Sequence, residues 1–235
     1  MRYELLLNGF PGRSGRGFLG WSTAIFVEGD RGPMLIDTGG GGDRGLLLHR
    51  LQENGIAPDA VRTVILSHLH FDHVANVECF PRAEIIVHED ELAYVEQHGA
   101  HDLAVPMFLV RGLLACGRLK SVSGEPMLSE GISLIRTPGH TGGHCSVVLE
   151  MPRDVVVLAQ DAIKHRGECL LGRPTEAFSL EAATRSIERI VSIADVIVPG
   201  HDSLFRIDKG KVEPLKPASE VLTVTLSNRT FLLEP

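Results

Sequence analysis

Apolar positions along the chain fall into short blocks closed by glycine or proline, the pattern of alternating strands and helices rather than of long helical stripes. Thr23 to Val27 and Met34 to Ile36 are β-rich runs joined by Gly29-Asp30-Arg31-Gly32, which predicts a hairpin. After the glycine-rich stretch Asp37-Thr38-Gly39-Gly40-Gly41-Gly42, Asp43 is the expected cap of a helix that runs to about Asn54 and ends at Gly55. Val61 to Leu66 reads as a strand buried on both faces, Glu84 to Val87 as the next strand, and Glu89 to Gln97 as a helix. Residues 98–120 resist assignment because Pro106, Gly112 and Gly117 interrupt them, and they read as a lid or insertion. The rhythm resumes at Val122, with strands at Ile132 to Arg136, Ser146 to Leu149 and Val155 to Leu158. Leu180 to Ala194 has helical spacing with Ser179 as its N-cap, Val196 to Val198 is a strand, and Val221 to Leu226 and Thr230 to Leu233 are predicted β. The halves share one layout and no linker divides them, so the expectation is a single α/β domain over 1–235 with sheets inside and helices outside.

Composition narrows the function. An apolar fraction of 43% is enough to bury a core in a chain of this length without staples. Aromatics at 5% and a formal net charge of −7, with no Lys/Arg cluster, argue against a nucleic-acid partner. Cys79, Cys116, Cys145 and Cys169 are widely spaced and unpaired in sequence, which suits free thiols in a reducing cytoplasm. No stretch has the form of a signal peptide or reaches membrane-spanning length, so a cytoplasmic protein is expected.

Eleven histidines are the informative excess, because several cluster. In Ser67-His68-Leu69-His70-Phe71-Asp72-His73 four metal-ligating side chains fall within six positions, directly after a predicted strand. His68 and His70, two apart, share one side of an extended backbone, and a turn is needed to bring Asp72 and His73 to the same cavity or one beside it. Imidazole and carboxylate without cysteine suit an open zinc, iron or manganese site better than a closed structural one. Three further strands end in such a residue: His140 in Thr137-Pro138-Gly139-His140-Thr141-Gly142-Gly143-His144, Asp161 after Val155 to Leu158, and His201 in Pro199-Gly200-His201. Strand ends of this kind line the functional face of α/β proteins. His49, His88, His98 and His101 read as surface or packing residues, while His165, four positions after Asp161, stays open.

The HxHxDH string, the later GHT turn, the lone aspartate and the final GH together resemble the metallo-β-lactamase-fold hydrolase superfamily, with matching segments from Trp21-Ser22-Thr23 and Leu35-Ile36-Asp37-Thr38-Gly39 to Pro199-Gly200-His201. The resemblance implies an α/β (α+β) fold, the four-layer αββα sandwich, with a dinuclear metal site along one edge of its sheets. It implies two Zn2+ per chain, with iron or manganese as alternatives. His68, His70 and His140 would hold one ion and Asp72, His73 and His201 the other, with Asp161 reaching both. Asp37 would orient ligands, and His144 would be structural.

Two ions sharing a water lower its pKa from ~15.7 to near ~7, so the implied activity is hydrolysis, with Asp72 and Asp161 as the catalytic carboxylates. His73 and Asp161 separate the pattern from true β-lactamases and bring it closer to glyoxalase II-type thioesterases and N-acyl homoserine lactonases. The expected substrate is therefore a small-molecule ester, lactone or thioester. Lactonases carry a tyrosine three residues after the bridging aspartate, where this chain has Lys164, so Lys164 or His165 is the candidate substrate-assisting group. The short stretch beyond His201 does not match the glutathione-binding helical domain of glyoxalase II. Glu78-Cys79-Phe80-Pro81 and Ala194 to Arg206 add a likeness to a metallo-β-lactamase domain-containing subgroup, for which RNA cleavage is among the implied activities. The alternatives are thus a phosphodiesterase or ribonuclease of the same fold, or an iron-dependent oxidoreductase resembling persulfide dioxygenases. Pro106, Met107, Phe108, Leu109 and Leu113 would line an acyl pocket or the contact of a homodimer.

Overall fold

Alternation along the strands sends successive side chains to opposite faces, and the computed structural model stacks two sheets on that basis, describing residues 1–15, 17–208, 210–216, 220–224 and 229–233. The first half runs β1 (Arg2–Leu7), a small hairpin β2 (Arg13–Ser14) and β3 (Gly17–Phe18), β4 (Ala24–Gly29), β5 (Gly32–Ile36), α1 (Arg44–Glu53), β6 (Thr63–Ile65), α2 (Phe71–Val74), β7 (Glu84–His88), α3 (Glu89–His98), α4 (Met107–Ala115) and β8 (Leu119–Val122). The second half runs β9 (Met127–Ser129), β10 (Ile132–Arg136), β11 (Cys145–Glu150), β12 (Val155–Gln160), α5 (Arg166–Leu171), α6 (Leu180–Ile193), β13 (Val196–Pro199), β14 (Phe205–Asp208) and β15 (Lys211–Pro214). A terminal hairpin pairs β16 (Glu220–Val224) with β17 (Arg229–Leu233), and Thr225 and Leu226 of the expected tail strand lie outside the described residues.

One sheet has the strand order β1-β4-β5-β6-β7-β8, the other β15-β14-β13-β12-β11-β10-β9. Strand parity decides the layers. In β12, Val156 and Leu158 enter the core between the sheets, while Val157 and Ala159 face the helix side with Ile187 and Ile190 of α6. In β5, Met34 and Ile36 point inward and Leu35 outward, toward Leu47 and Leu51 of α1. With α1, α3 and α4 over one sheet and α6 over the other, the result is the four-layer αββα arrangement. The two apolar layers facing each other are what hold the sheets in register, since burial contributes roughly 25 cal/mol per Å2 removed from water.

Element boundaries shift by a residue or two from the sequence expectation at most strands. Residues 98–120 contain α4, which packs Val110 and Leu113 into the core beneath the first sheet, and lead into β8, which pairs parallel with β7. Asp43 precedes α1 as expected, but its carboxylate accepts from Gly40 N at 2.8 Å rather than capping the helix. Ser179 does cap α6, accepting from Ala182 N at 3.3 Å. Among the described residues no helix is long and apolar enough to cross a membrane.

The fold brings the strand ends together. The parallel strands β5 and β6 of one sheet, and β12 and β13 of the other, run toward the same edge. Asp37, Ser67, Asp161 and Gly200 follow those four strands directly or within two residues.

Candidate metal centre

Tight turns at that edge turn ligand-capable side chains inward. β6 runs out into Ser67 and His68, and His70 is the extended residue from which the single turn α2 starts, which swings Asp72 and His73 under it. Asp37 and Gln160, at the ends of β5 and β12, are the two non-glycine residues with positive φ among those described, at 57° and 47°. Backbone in this region costs on the order of 1–3 kcal/mol and persists where neighbours over-determine it. Gly200 is needed for its lack of a side chain: a Cβ there would lie 2.0 Å from Asp161 Oδ1.

The seven residues that the sequence nominates converge. The ligand atoms of His68, His70 and His140 lie within 4.8 Å of one another, and so do those of Asp72, His73 and His201. Asp161 spans the two groups, with Oδ2 at 3.2 Å from both His140 Nε2 and His201 Nε2, and Oδ1 at 3.3 Å from His73 Nε2. The His68 and His73 rings are 4.1 Å apart between centroids. Asp37 also falls within 4.8 Å of His68 and His73, but its oxygens are taken. They accept from Ser67 N at 2.8 Å, Ser67 Oγ at 2.7 Å and His73 Nδ1 at 2.7 Å, an orienting role. His201 donates through Nδ1 to Trp21 O at 2.8 Å, which leaves Nε2 for the centre.

Burial without partners marks the donor set. Among the described residues, six buried side-chain polar atoms lack a hydrogen-bond partner, and all six sit here: His68 Nε2, His73 Nε2, His140 Nδ1, His144 Nε2, Gln160 Oε1 and Asp161 Oδ1. Such groups are rare in native proteins because each costs about 1–3 kcal/mol unpaired, and a cation is what lone pairs on imidazole and carboxylate satisfy together. The residues present therefore fit a metal.

Electrostatics agree with this fit. Burial, reinforced by the neighbouring imidazoles of His73, His70 and His140, holds His68 well below the ordinary imidazole range. Burial does the same to His140, against the pull of Asp161. It would also lower His73, but the Asp72, Asp161 and Asp37 carboxylates outweigh it and push that ring up. His201 is raised in the same way, chiefly by Asp161. Asp161, which burial alone would raise, is held well below the carboxylate range by His201, His140 and His73. His144 is pushed down to about 3 by burial; it bonds Thr137 Oγ1 through Nδ1 at 2.9 Å and belongs to neither group of converging ligand atoms.

Several supporting residues carry no motif. Glu91, fully buried on α3, accepts from Leu69 N at 2.9 Å, Thr141 Oγ1 at 2.6 Å and Gly143 N at 3.2 Å, tying the His68–His73 loop to the His140 turn. Its one available signal is a charge at i on a stripe whose i+3 and i+4 members, Tyr94 and Val95, are buried. Asp102 Oδ2 accepts from His70 Nε2 at 2.9 Å and from the Tyr94 hydroxyl at 2.8 Å. The His70 bond, acting against burial, holds the Asp102 carboxyl well below the usual range.

A cavity of about 720 Å3 opens onto the cluster. Phe18 and Phe71 line it, as do Tyr94 and Phe178, with ring centroids 4.9 Å apart. His98 and His101, which read as surface residues in sequence, border it too, while His88 caps α3 and His49 lies exposed beside Glu53. Lys164 and His165 are on its wall, with Lys164 Nζ donating to Glu176 O at 3.0 Å. Pro106, Met107, Phe108, Leu109 and Leu113, the expected acyl-pocket residues, do not line it, and Phe108 is 94% exposed.

Comparison with known proteins adds relatives to this geometry. A family profile described as the metallo-beta-lactamase superfamily matches residues 19–201. Metallo-beta-lactamase domain-containing protein 1 of Mus musculus is 35% identical over 219 residues, covering 89% of this chain and 76% of that protein. An N-acyl homoserine lactonase of a Bacillus species is 29% identical over 188 residues, 78% of this chain and 70% of its own. A crystal structure of a quorum-quenching N-acyl homoserine lactone hydrolase superposes with a TM-score of 0.62 at 26% identity, over 75% of this chain and 76% of that one.

Proposed function

Because this chain belongs to the metallo-beta-lactamase superfamily and is a metal-dependent hydrolase, we propose that it works with two zinc ions and cleaves an ester, lactone or thioester of a small molecule. His68, His70 and His140 would hold one ion, Asp72, His73 and His201 the other, and Asp161 would reach both. The observation that carries the reading is the convergence of the ligand atoms of His68, His70 and His140, and of Asp72, His73 and His201, each set within 4.8 Å, with His68 Nε2, His73 Nε2 and Asp161 Oδ1 buried without a hydrogen-bond partner beneath an open cavity. When bound, the ions supply Lewis acidity toward a substrate oxygen and a water acidic enough to ionise near neutral pH.

The chain's own residues supply the rest. Asp37 accepts a hydrogen bond from His73 Nδ1 and keeps that ring's Nε2 turned toward Asp161. Asp72 is 6% exposed and lines the cavity, so its carboxylate can take up a proton there and deliver it to the leaving oxygen or sulfur. Phe18, Phe71 and Phe178 exclude water from the apolar part of a substrate. Lys164 Nζ has one backbone carbonyl as partner and lies on the cavity wall, which supports a role in donating to the substrate carbonyl oxygen where the lactonases use tyrosine. His165 borders the same wall and is the second candidate.

The test is elemental analysis of the purified chain, with turnover measured on lactones, thioesters and phosphodiesters. Two equivalents of zinc with hydrolysis of a lactone or thioester is the expected outcome. One equivalent of iron, or turnover of phosphodiesters alone, would contradict it.

A further inference from the structure

Resting on that ligand reading, we propose that Asp102 is a positioning residue for the ion held by His68, His70 and His140, so that the segment after α3 is part of the metal centre rather than a cover over it. The His70 ring has both nitrogens engaged: Nε2 lies 2.9 Å from Asp102 Oδ2, and Nδ1 lies 3.0 Å from His140 Nε2. An ionised carboxylate can only accept, so the proton of a neutral His70 sits on Nε2 and the lone pair on Nδ1. That lone pair then faces the side where His68 and His140 converge. A carboxylate behind a metal-binding imidazole fixes ring orientation and tautomer and raises the basicity of the ligating nitrogen.

Asp102 is itself fixed on three sides. Oδ2 also accepts from the Tyr94 hydroxyl at 2.8 Å, and Oδ1 accepts from Ala104 N at 3.0 Å. Ala104 O in turn accepts from Phe71 N at 2.8 Å, so the segment closes back onto the loop that carries His70. The Tyr94 ring packs on His98 and Phe178 at centroid distances of 5.3 and 4.9 Å, which stiffens the anchor. The side chains are mostly shielded, at 10% exposure for His70 and 20% for Asp102. The arrangement mirrors the other half of the centre, where Asp37 stands behind His73 in the same way. Apart from Asp161, Asp102 is the one carboxylate hydrogen-bonded or ion-paired to a member of the His68, His70 and His140 group among the described residues.

The experiment reloads the metal-free chain with zinc and reads each dissociation constant by competition against a chromophoric chelator. The wild-type chain should bind two equivalents. In Asp102→Ala one of the two should weaken by about 10–100-fold, the usual cost of losing such a partner, while the other holds its affinity. Asp102→Asn, whose amide oxygen still accepts from His70 Nε2 with little change of shape, should fall between. Tyr94→Phe, which leaves the carboxylate in place, should shift the constant less than Asp102→Ala does. Wild-type constants for both ions in Asp102→Ala and Asp102→Asn would overturn the inference alone. So would equal weakening of both ions together with a lower unfolding midpoint of the metal-free variants, the signature of a merely structural tether. A wild-type chain that takes up no zinc would overturn the ligand reading, and this inference with it.

Discussion

Two histidine populations divide the centre at the scale of single residues. His68 and His140 are depressed by burial, so in the metal-free chain they stay neutral below the ordinary imidazole pKa of about 6.5. His73 and His201 are raised by their carboxylate neighbours, which overcome burial, so they still carry protons above that value. An ion must displace a proton from a raised imidazole but not from a depressed one, and metal affinity falls with pH accordingly. As pH is lowered from 8 to 5 in dialysis, the ion proposed at Asp72, His73 and His201 should therefore leave first. His201→Ala, already deficient in that ion, should show only the later loss when metal content is followed by elemental analysis. Loss of both equivalents in one step from the wild-type chain, or persistence of the earlier step in His201→Ala, would contradict this. What was legible at this scale came from density: Ser67 to His73 packs ligand-capable residues so tightly that their chemistry stands out of the string. Asp102 and Glu91 stand alone among ordinary neighbours, and their roles exist only through partners 32, 22, 50 and 52 residues away in sequence.

Elements were legible where burial is one-sided or complete. β10 and α6 match their sequence patterns within a residue: β10 alternates Ile132 and Leu134 into the core between the sheets with Ile135 on the helix side, and α6 buries Ala183, Ile187 and Ile190 along one stripe. α4 was not legible because Pro106, Gly112 and Gly117 interrupt its stretch, and exposed apolar residues, Phe108 at 94% and Leu114 at 55%, blur the stripe that Val110 and Leu113 bury. The short edge strand β8, half in solvent, has no apolar alternation to read. Connections between elements also rest on charges that carry no periodicity. Glu125, just before β9, takes a two-pronged contact from Arg189 on α6, with Nη2 to Oε2 at 2.8 Å. That hydrogen bond, assisted by Arg136, lowers the Glu125 carboxyl to about 2. A depressed carboxyl contributes stability that is present above its unfolded pKa of about 4.3 and is lost as pH falls toward its folded value. The pair is substantially exposed, so screening keeps its contribution below about 1 kcal/mol. Glu125→Gln should lower the unfolding midpoint slightly at pH 6 and converge with the wild-type chain near pH 2. A gap between the two that widens in acid would mean that the Glu125 carboxyl is raised rather than lowered by folding.

At the scale of the whole molecule, the two sheets act as a clamp. Each contributes strand ends to one edge, and the cores between and outside the sheets hold those ends where four distant stretches meet. That meeting shows in the sequence as a repeated habit of strands ending in His or Asp, and the resemblance names its seven members; the cavity walls, built from Phe18 of β3, Phe71 of α2, Tyr94 of α3 and Phe178 before α6, come from four separate stretches whose spacing carries no code. The αββα layering brings seven side chains to one edge, where they are proposed to hold two cations side by side. Anomalous diffraction from crystals of the zinc-loaded chain at the zinc absorption edge measures this directly. Two peaks are predicted, one among His68, His70 and His140 and one among Asp72, His73 and His201, both in contact with Asp161. A single peak, or peaks bound by residues outside these seven, would rule out a paired-cation centre held by these side chains.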